Sequence, residues 1–158
     1  MKAILPNGHE VDPEPYGMLY YGTDKVDIQQ AFSSGIPLKG FDRRLYEHVK
    51  QNPQSAFRGT TVLANVNQQW GQGAIHWASV GGWVYEIGPM LGWDPEKLLE
   101  GQVDVAGRFM GSPYAIELET SVPSLIAPHQ IHKAGVVVAS AGCLVVRTWT
   151  YNPNYQMP

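Results

Sequence analysis

Two runs of strand-forming residues near the C-terminus constrain the fold of this chain more than any other feature of its sequence. Gly135 to Ala139 and Cys143 to Trp149 are rich in valine, and Ser140-Ala141-Gly142 stands between them as a turn. We expect the two runs to pair as neighbouring strands of a sheet. The last part of the chain is therefore predicted to be β structure.

The earlier part of the chain has both helical and strand patterns. An aspartate that can cap the N-terminus begins each predicted helix, and these helices are 24–35, 42–51 and 94–101. Short runs of β-forming residues predict further strands, at 18–21, 57–62 and 82–88. Gln68 to Gly81 is expected to form a loop. With helices early and strands late, the sequence predicts an α+β domain.

The length of the chain sets its domain organisation. Its 158 residues are enough for one hydrophobic core and too few for two. The segment 6–15 is polar and rich in turn formers, so residues 1–16 are predicted to be an N-terminal arm or linker. Residues 17–158 are predicted to form one folded domain.

Charge and hydropathy exclude two classes of partner. The chain has 11 Lys and Arg against 14 Asp and Glu, a net charge of −3 and no basic run, so a nucleic-acid partner is not expected. Its apolar runs fall far short of the roughly 20 residues that span a bilayer, so no membrane partner is expected. The single cysteine, Cys143, cannot form an internal disulfide, which suits a reducing compartment.

Histidines and carboxylates are the candidates for chemistry, because the common phosphate-binding, dinucleotide-binding, zinc-protease and serine-hydrolase motifs are absent. His129 and His132 stand three apart and would share one face of a helix, where two histidines can hold a metal. No cysteine or carboxylate is placed beside them. We therefore interpret them as surface histidines and predict no metal site.

Glu117 and Glu119 form a more informative pair. On a strand, residues two apart project from the same face, so the two carboxylates would stand about 7 Å apart with Leu118 turned into the core. Mutual repulsion would raise the proton affinity of one carboxylate, and the pair could then divide the work of stabilising a cation and accepting a proton. The alternative is a solvated strand face whose acidic residues discourage aggregation.

Five landmarks follow one another between residues 18 and 138. They are Leu19-Tyr20-Tyr21-Gly22-Thr23, Leu45-Tyr46-Glu47-His48, Phe57-Arg58-Gly59-Thr60-Thr61, Val84-Tyr85-Glu86-Ile87, and Glu117-Leu118-Glu119 with Pro128-His129-Gln130-Ile131 downstream. In this order and spacing they resemble the catalytic domain of the cholera toxin and heat-labile enterotoxin family. These are mono-ADP-ribosyltransferases that the pertussis toxin catalytic subunit also resembles.

The resemblance implies an ADP-ribosyltransferase-like split β-sandwich with short flanking helices, which binds NAD as a substrate and uses no metal. Glu119 would be the essential carboxylate, bonded to the ribose 2′-hydroxyl and stabilising the oxocarbenium-like state as the nicotinamide–ribose bond breaks. Glu117 would orient and deprotonate an arginine of a target protein. His48 would reach the adenosine ribose or the phosphates, and Thr60 would hold Glu119 through its hydroxyl.

The remaining NAD contacts are implied by the same motifs. Tyr21, Gly22 and Thr23 on one strand, and Thr60 and Thr61 on another, are expected to bind NAD. An aromatic side chain is expected to stack on nicotinamide or to pack in the core instead. The candidates are Trp70, Trp77 and Tyr85.

Two residues depart from the family pattern. Tyr21 stands where the family has an arginine that bonds the NAD phosphates, and Gly59 replaces the first serine of a Ser-Thr-Ser motif. These departures leave open a non-catalytic domain that binds a protein partner, and transfer to another side chain or a nucleotide base also stays open. Four cations are candidates to supply the missing charge: Lys25, Arg43, Arg44 and Arg58.

The resemblance also implies a secreted or injected toxin or effector that acts in the cytosol of a target cell. Residues 1–6 lack the long apolar core and the cleavage site of a signal peptide. Delivery is therefore expected to depend on another component or on a larger parent chain.

Overall fold

The computed structural model describes residues 1–62, 74–103, 109–110 and 119–158. In these ranges the helices are α1 (Ile28–Ser34), α2 (Leu45–Val49), α3 (Ala74–Ala78) and α4 (Pro95–Leu99), with a 3₁₀ helix at Pro128–Gln130. The strands are β1 (Ala3–Ile4), β2 (Glu10–Val11), β3 (Glu14–Tyr16), β4 (Leu19–Thr23), β5 (Phe57–Thr61), β6 (Trp83–Ile87), β7 (Met90–Gly92), β8 (Gln102–Val103), β9 (Phe109–Met110), β10 (Glu119–Pro123), β11 (Ile131–Ser140) and β12 (Cys143–Tyr151). The predicted α+β class is confirmed.

A six-stranded antiparallel sheet organises the described part of the chain, in the order β10-β5-β4-β6-β11-β12. Its last two strands are the hairpin predicted from the valine-rich runs, and they pair out to Ser140 and Cys143. Ala141 and Gly142, at the turn, have φ angles of 52° and 80°. Positive φ at both central residues matches the right-handed twist of the flanking strands, which favours a tight hairpin.

Aspartate caps begin two of the helices. Asp94 caps α4 as predicted, because its carboxylate accepts a hydrogen bond from the backbone N–H of Lys97 at 3.2 Å. The cap of α1 is Asp27 rather than the predicted Asp24, and it accepts from the backbone N–H of Gln30 at 2.8 Å. The prediction missed by three residues because the chain first turns away from the end of β4.

The other two helices differ more from expectation. Asp42 does not cap α2; its carboxylate instead accepts hydrogen bonds from the side chains of Arg44 and Asn52. α3 lies in the segment 68–81, where a loop was expected, because five helical residues are too few to show a helical period. Across the described ranges, no helix has the length and apolar character needed to cross a membrane.

Residues 1–16, the predicted arm or linker, fold back on the rest of the chain. Ala3 and Leu5 are buried in a hydrophobic cluster with residues of α2 and α4. β3 pairs with β7 through Glu14 to Tyr16. The segment is therefore packed rather than extended, while the domain boundary at residue 17 stays a prediction.

The two faces of the sheet carry different layers. One face packs against α1 through a cluster that includes Tyr85. The opposite face carries α2 beside Phe57 and α3 beside Val84. Paired residues of neighbouring strands point to the same side, so Thr61 and Glu119 belong to the face that carries α2 and α3.

Candidate active site

A cleft opens where β4 and β5 separate. Among the described residues, these strands are paired only at Tyr20 and Thr61. Beyond that pair, Gly22 of β4 and Gly59 of β5 line a cleft of about 410 Å³, which is within the usual size of small-molecule sites. The lining residues are Tyr21, Gly22, Lys39, His48, Val49, Gln51, Gly59, Trp77 and Glu119. Four predicted site residues are thus brought together: Tyr21, Gly22, His48 and Glu119.

Glu119 begins β10 and reaches the cleft with a side chain that is 7% exposed. Its Oε1 atom accepts hydrogen bonds from Nε2 of His48 at 2.6 Å and from Oγ of Ser121 at 3.0 Å. In the described part of the chain, no group bonds to Oε2. His48 and Ser121 therefore anchor the carboxylate through Oε1.

Gly59 makes room for that carboxylate. A Cβ atom at this position would lie 3.1 Å from Oε1 of Glu119 and 3.3 Å from its carboxyl carbon. Ser121, which pairs with Gly59 across the strands, supplies the hydroxyl that bonds to Oε1. Glu119 therefore has a hydroxyl partner in Ser121, although Gly59 replaces the serine of the family motif.

His48 links Glu119 to the helix α2. It is buried, and Leu45 and Val49 of the same helix fix its position in a hydrophobic cluster. Its Nδ1 atom is 2.9 Å from Oγ of Ser55. The sequence implied His48 but held no signal for Ser55, whose role depends on the fold. Contact between His48 and an adenosine ribose or phosphate stays a prediction.

The predicted threonines lie outside the lining of the cleft. The Thr60 hydroxyl donates to the backbone oxygen of Thr120 at 2.7 Å, so its predicted bond to Glu119 is wrong. The reason is strand alternation, which puts Thr60 on the opposite face from Glu119. Thr61 is buried opposite Glu119, and the Thr23 hydroxyl accepts from the backbone N–H of Lys25. Contacts of these threonines with NAD stay predictions.

Arg58 supplies a cation directly beside Tyr21. Its Nη1 donates to the Tyr21 hydroxyl at 2.8 Å, and the guanidinium carbon lies 5.4 Å from the centre of the phenol ring. Two further donors bond to the backbone oxygens of Ser124 and Pro37. The other cations considered from the sequence pair elsewhere: Lys25 with Asp24, Arg43 with Glu10, and Arg44 with Asp42.

Lys39 is a cleft residue that sequence reasoning missed. It is half-buried, and its backbone N–H donates to Oγ of Ser124 at 3.1 Å. Burial and the neighbouring Arg58 charge lower the pKa of Lys39, while the Glu119 charge acts in the opposite direction. An ammonium group that is partly desolvated beside another cation is stabilised by a bound anion.

The aromatic residues predicted to stack on nicotinamide or to pack in the core lie in different places. Trp77 of α3 lines the cleft, as one alternative expected. Tyr85 is fully buried on the opposite face, where its hydroxyl donates to the backbone oxygen of Val26, and burial raises its pKa. Tyr85 is therefore a core residue. Trp70 and Glu117 lie outside the described residues.

A second buried carboxylate lies on the same face of the sheet. Glu86 accepts a hydrogen bond from the Tyr20 hydroxyl at 2.8 Å and lies 2.5 Å from Nδ1 of His132. Burial and this hydrogen bond raise the pKa of Tyr20 to about 12. His132 is on β11 and His129 is in the 3₁₀ helix, so the two do not share a helix face. Within the described ranges, no three His, Cys, Asp or Glu side chains converge as a metal site.

Solved structures with a similar fold include two proteins named as toxins and one named as an ADP-ribosyltransferase. Scabin toxin from Streptomyces scabies in complex with NADH has a TM-score of 0.64 and 19% identity, covering 91% of this chain and 80% of its own. A guanine-specific ADP-ribosyltransferase has a TM-score of 0.63 and 18% identity, covering 91% of this chain and 82% of its own. Nicked CARDS toxin has a TM-score of 0.64 and 19% identity, covering 90% of this chain and 32% of its own.

At such identities the likeness is one of fold. It confirms the ADP-ribosyltransferase-like fold expected from the sequence motifs. The narrower resemblance to the cholera toxin, enterotoxin and pertussis toxin enzymes stays a prediction. No family model and no curated protein matches the chain.

Proposed function

We propose that this chain is an NAD-dependent mono-ADP-ribosyltransferase, a toxin or effector enzyme that transfers ADP-ribose to arginine on a target protein. The observation that carries the proposal is Glu119, a nearly buried carboxylate that lines the cleft and is anchored through Oε1 by His48 and Ser121. A fold shared with a guanine-specific ADP-ribosyltransferase and with Scabin toxin in complex with NADH supports it.

In this reaction the bond between ribose C1′ and the nicotinamide nitrogen breaks. The electron pair of that bond leaves with nicotinamide, which becomes neutral, and positive charge gathers on the ribose ring. Oε2 of Glu119 accepts the 2′-hydroxyl hydrogen bond, and the carboxylate charge stabilises the cation. An acceptor nitrogen then bonds to C1′ and loses a proton to Glu117.

The cations near Tyr21 suit the diphosphate of NAD. Lys39 lines the cleft, and its charge interacts with that of Glu119. Arg58 donates to the Tyr21 oxygen, which polarises the phenol and leaves its O–H to donate to a phosphate. Trp77 also lines the cleft, where its ring would stack on nicotinamide. The family arginine is thus replaced by two residues, one of which acts through Tyr21.

The acceptor has two candidates. A Glu117-x-Glu119 pair favours arginine, because a guanidinium is protonated at neutral pH and needs a base as its nitrogen attacks. Guanine is the second candidate, since one protein of similar fold is described as guanine-specific. The net charge of −3 disfavours binding to a long nucleic acid.

The test is transfer of labelled ADP-ribose from NAD by the purified protein, with agmatine as an arginine mimic and guanosine as the alternative acceptor. We expect a labelled agmatine adduct and slower release of nicotinamide when no acceptor is present. Label on guanosine alone would overturn the arginine assignment and keep the transferase. If calorimetry at millimolar NAD shows no binding, the non-catalytic protein-binding module is the better description.

Lys39→Gln is expected to weaken NAD binding by about 10- to 100-fold, because a charged hydrogen bond is worth about 1.5–3 kcal/mol. Tyr21→Phe should weaken it about threefold, since it removes one neutral donor. Titration calorimetry with NAD measures both. Lys25→Gln is the matched control: its side chain is 84% exposed and lies outside the cleft, and unchanged affinity is expected. Equal affinities for all three variants would contradict the diphosphate assignment.

Glu117→Ala is expected to suppress transfer to agmatine more strongly than NAD hydrolysis. The reason is that hydrolysis uses water, whereas the guanidinium must lose a proton as its nitrogen bonds to C1′. The ratio of labelled agmatine to free ADP-ribose measures the effect. Equal losses of the two activities would argue against the proton-acceptor role.

We further propose that the enzyme acts in the cytosol of a target cell after delivery by another component or a larger parent chain. The chain has a single cysteine, Cys143, which is exposed. The domain therefore has no internal disulfide to lose in a reducing cytosol. The test is to look for ADP-ribosylated target protein in cells exposed to the toxin. We expect it with the wild-type protein and not with a Glu119 variant.

A further inference from the structure

A continuous chain of hydrogen bonds runs from the backbone of β5 to the candidate catalytic carboxylate. The backbone N–H of Phe57 donates to Oγ of Ser55 at 3.0 Å. That oxygen is 2.9 Å from Nδ1 of His48, whose Nε2 is 2.6 Å from Oε1 of Glu119. Ser55 is fully buried, and the other two side chains are nearly so. The contacts are thus shielded from water.

The chemistry of the two ends fixes the direction of the two outer bonds. A carboxylate only accepts, so Nε2 of His48 must carry a hydrogen. A backbone N–H only donates, so the Ser55 oxygen accepts from Phe57. The single Ser55 proton is then available for Nδ1, which accepts it when the imidazole is neutral. In this assignment each donor meets an acceptor along the whole chain.

The other protonation states of His48 leave a buried polar atom without a suitable hydrogen-bond partner. With the hydrogen on Nδ1 alone, the Nε2 lone pair would face a carboxylate oxygen at 2.6 Å. With both nitrogens protonated, Ser55 would accept from His48 and Phe57, and its own proton would have no partner among the described residues. An unsatisfied buried donor is unfavourable.

We propose that Ser55 is a positioning residue, which donates to Nδ1 of His48 and keeps the ring in its neutral Nε2–H tautomer. His48 then holds Oε1 of Glu119 and leaves Oε2 directed to substrate. The edge contact of His48 with Phe57, at 5.6 Å between ring centres, fixes the plane of the imidazole. The kinetic consequence rests on the proposed function, whereas the tautomer does not.

Nitrogen-15 NMR of the uniformly labelled protein tests the tautomer without any substrate. We expect wild-type His48 at neutral pH as Nε2–H, and a mixture of tautomers in Ser55→Ala. Ser55→Thr keeps the hydroxyl and should restore the wild-type pattern. Ser121→Ala is the control, since it removes the other bond to Oε1 without touching Nδ1, and the tautomer should not change.

NAD hydrolysis gives the second measurement. Ser55→Ala should lower kcat about tenfold with KM within about twofold, because orientation of Glu119 matters in the transition state more than in binding. Ser55→Thr should recover most of kcat. A purely structural role would instead lower the active fraction and leave the tautomer of the folded protein unchanged.

The outcomes separate this inference from the proposed function. A wild-type His48 found as Nδ1–H, or protonated on both nitrogens, overturns the role of Ser55 whether or not the enzyme is active and whether or not the variants fold. An unchanged tautomer in folded Ser55→Ala does the same. A wild type that holds the Nε2–H tautomer but neither binds nor cleaves NAD contradicts the proposed function alone.

Discussion

Glu119→Gln is expected to lower both NAD hydrolysis and ADP-ribose transfer by about 10²–10³-fold, the usual cost of removing a group placed to stabilise transition-state charge. Glutamine keeps the size of the side chain, and its amide oxygen can still accept from His48 and Ser121. The variant thus removes the negative charge with little change in packing. Release of nicotinamide under saturating NAD is the measurement.

The affinity for NAD provides the contrast. The charge acts on a cation that forms only as the bond breaks, so we expect the Kd for NAD to change by less than about threefold. Glu100→Gln, an exposed carboxylate after α4, is the matched control and should be fully active. Hydrolysis by Glu119→Gln within a factor of about ten of the wild type would remove Glu119 from its assigned role.

The second large effect is expected on stability. In Gly22→Ala the new Cβ atom would lie 1.7 Å from the backbone oxygen of Ala74 and 3.0 Å from the backbone nitrogen of Ala78. Backbone atoms at both places mean that α3 itself must move away from β4. We expect the free energy of unfolding to fall by about 3 kcal/mol or more, and Tm by about 10 °C.

Gly17→Ala is the control for that experiment. Nothing lies within 4 Å of a Cβ built at Gly17, so we expect a change of less than about 0.5 kcal/mol. Thermal and denaturant unfolding of both variants gives the comparison. Equal stabilities would mean that α3 does not pack on Gly22 as described.

Elements with a strong local pattern could be predicted from the sequence: the strands β4, β5, β6, β11 and β12, and helices in the regions of α1, α2 and α4. Val84 and Tyr85 lie in a run of β-forming residues bounded by glycines, and that local pattern is enough to place β6. The valine-rich hairpin is predictable for the same reason, since its turn lies within the same stretch of chain. Local composition sets these elements.

The missed elements depend on partners far away in sequence. α3 shows no periodic signal, and its position is set by close packing on Gly22, more than fifty residues earlier. The cap of α1 at Asp27 depends on where β4 releases the chain. Neither dependence is visible within a short window of sequence.

The candidate site follows the same division. Glu119 and His48 could be named from motif spacing, and the structure brings them to 2.6 Å of one another. Thr60 could not be assigned correctly, because one residue of register decides which face of β5 it occupies. Lys39 and Ser55 carry no motif, and only the folded chain shows one in the cleft and the other on His48.

The single registered pair between β4 and β5 has a mechanical consequence for the sheet. Every other described pair of neighbouring strands in this sheet is joined by several paired residues, whereas β4 and β5 are joined only by Tyr20 and Thr61. A molecule held against Gly22 and Gly59 together would bridge the two halves where the backbone does not. A ligand bound in the cleft would then connect β4 and β5 where they share no backbone hydrogen bonds. The sheet would be more rigid when the ligand is bound than when it is absent.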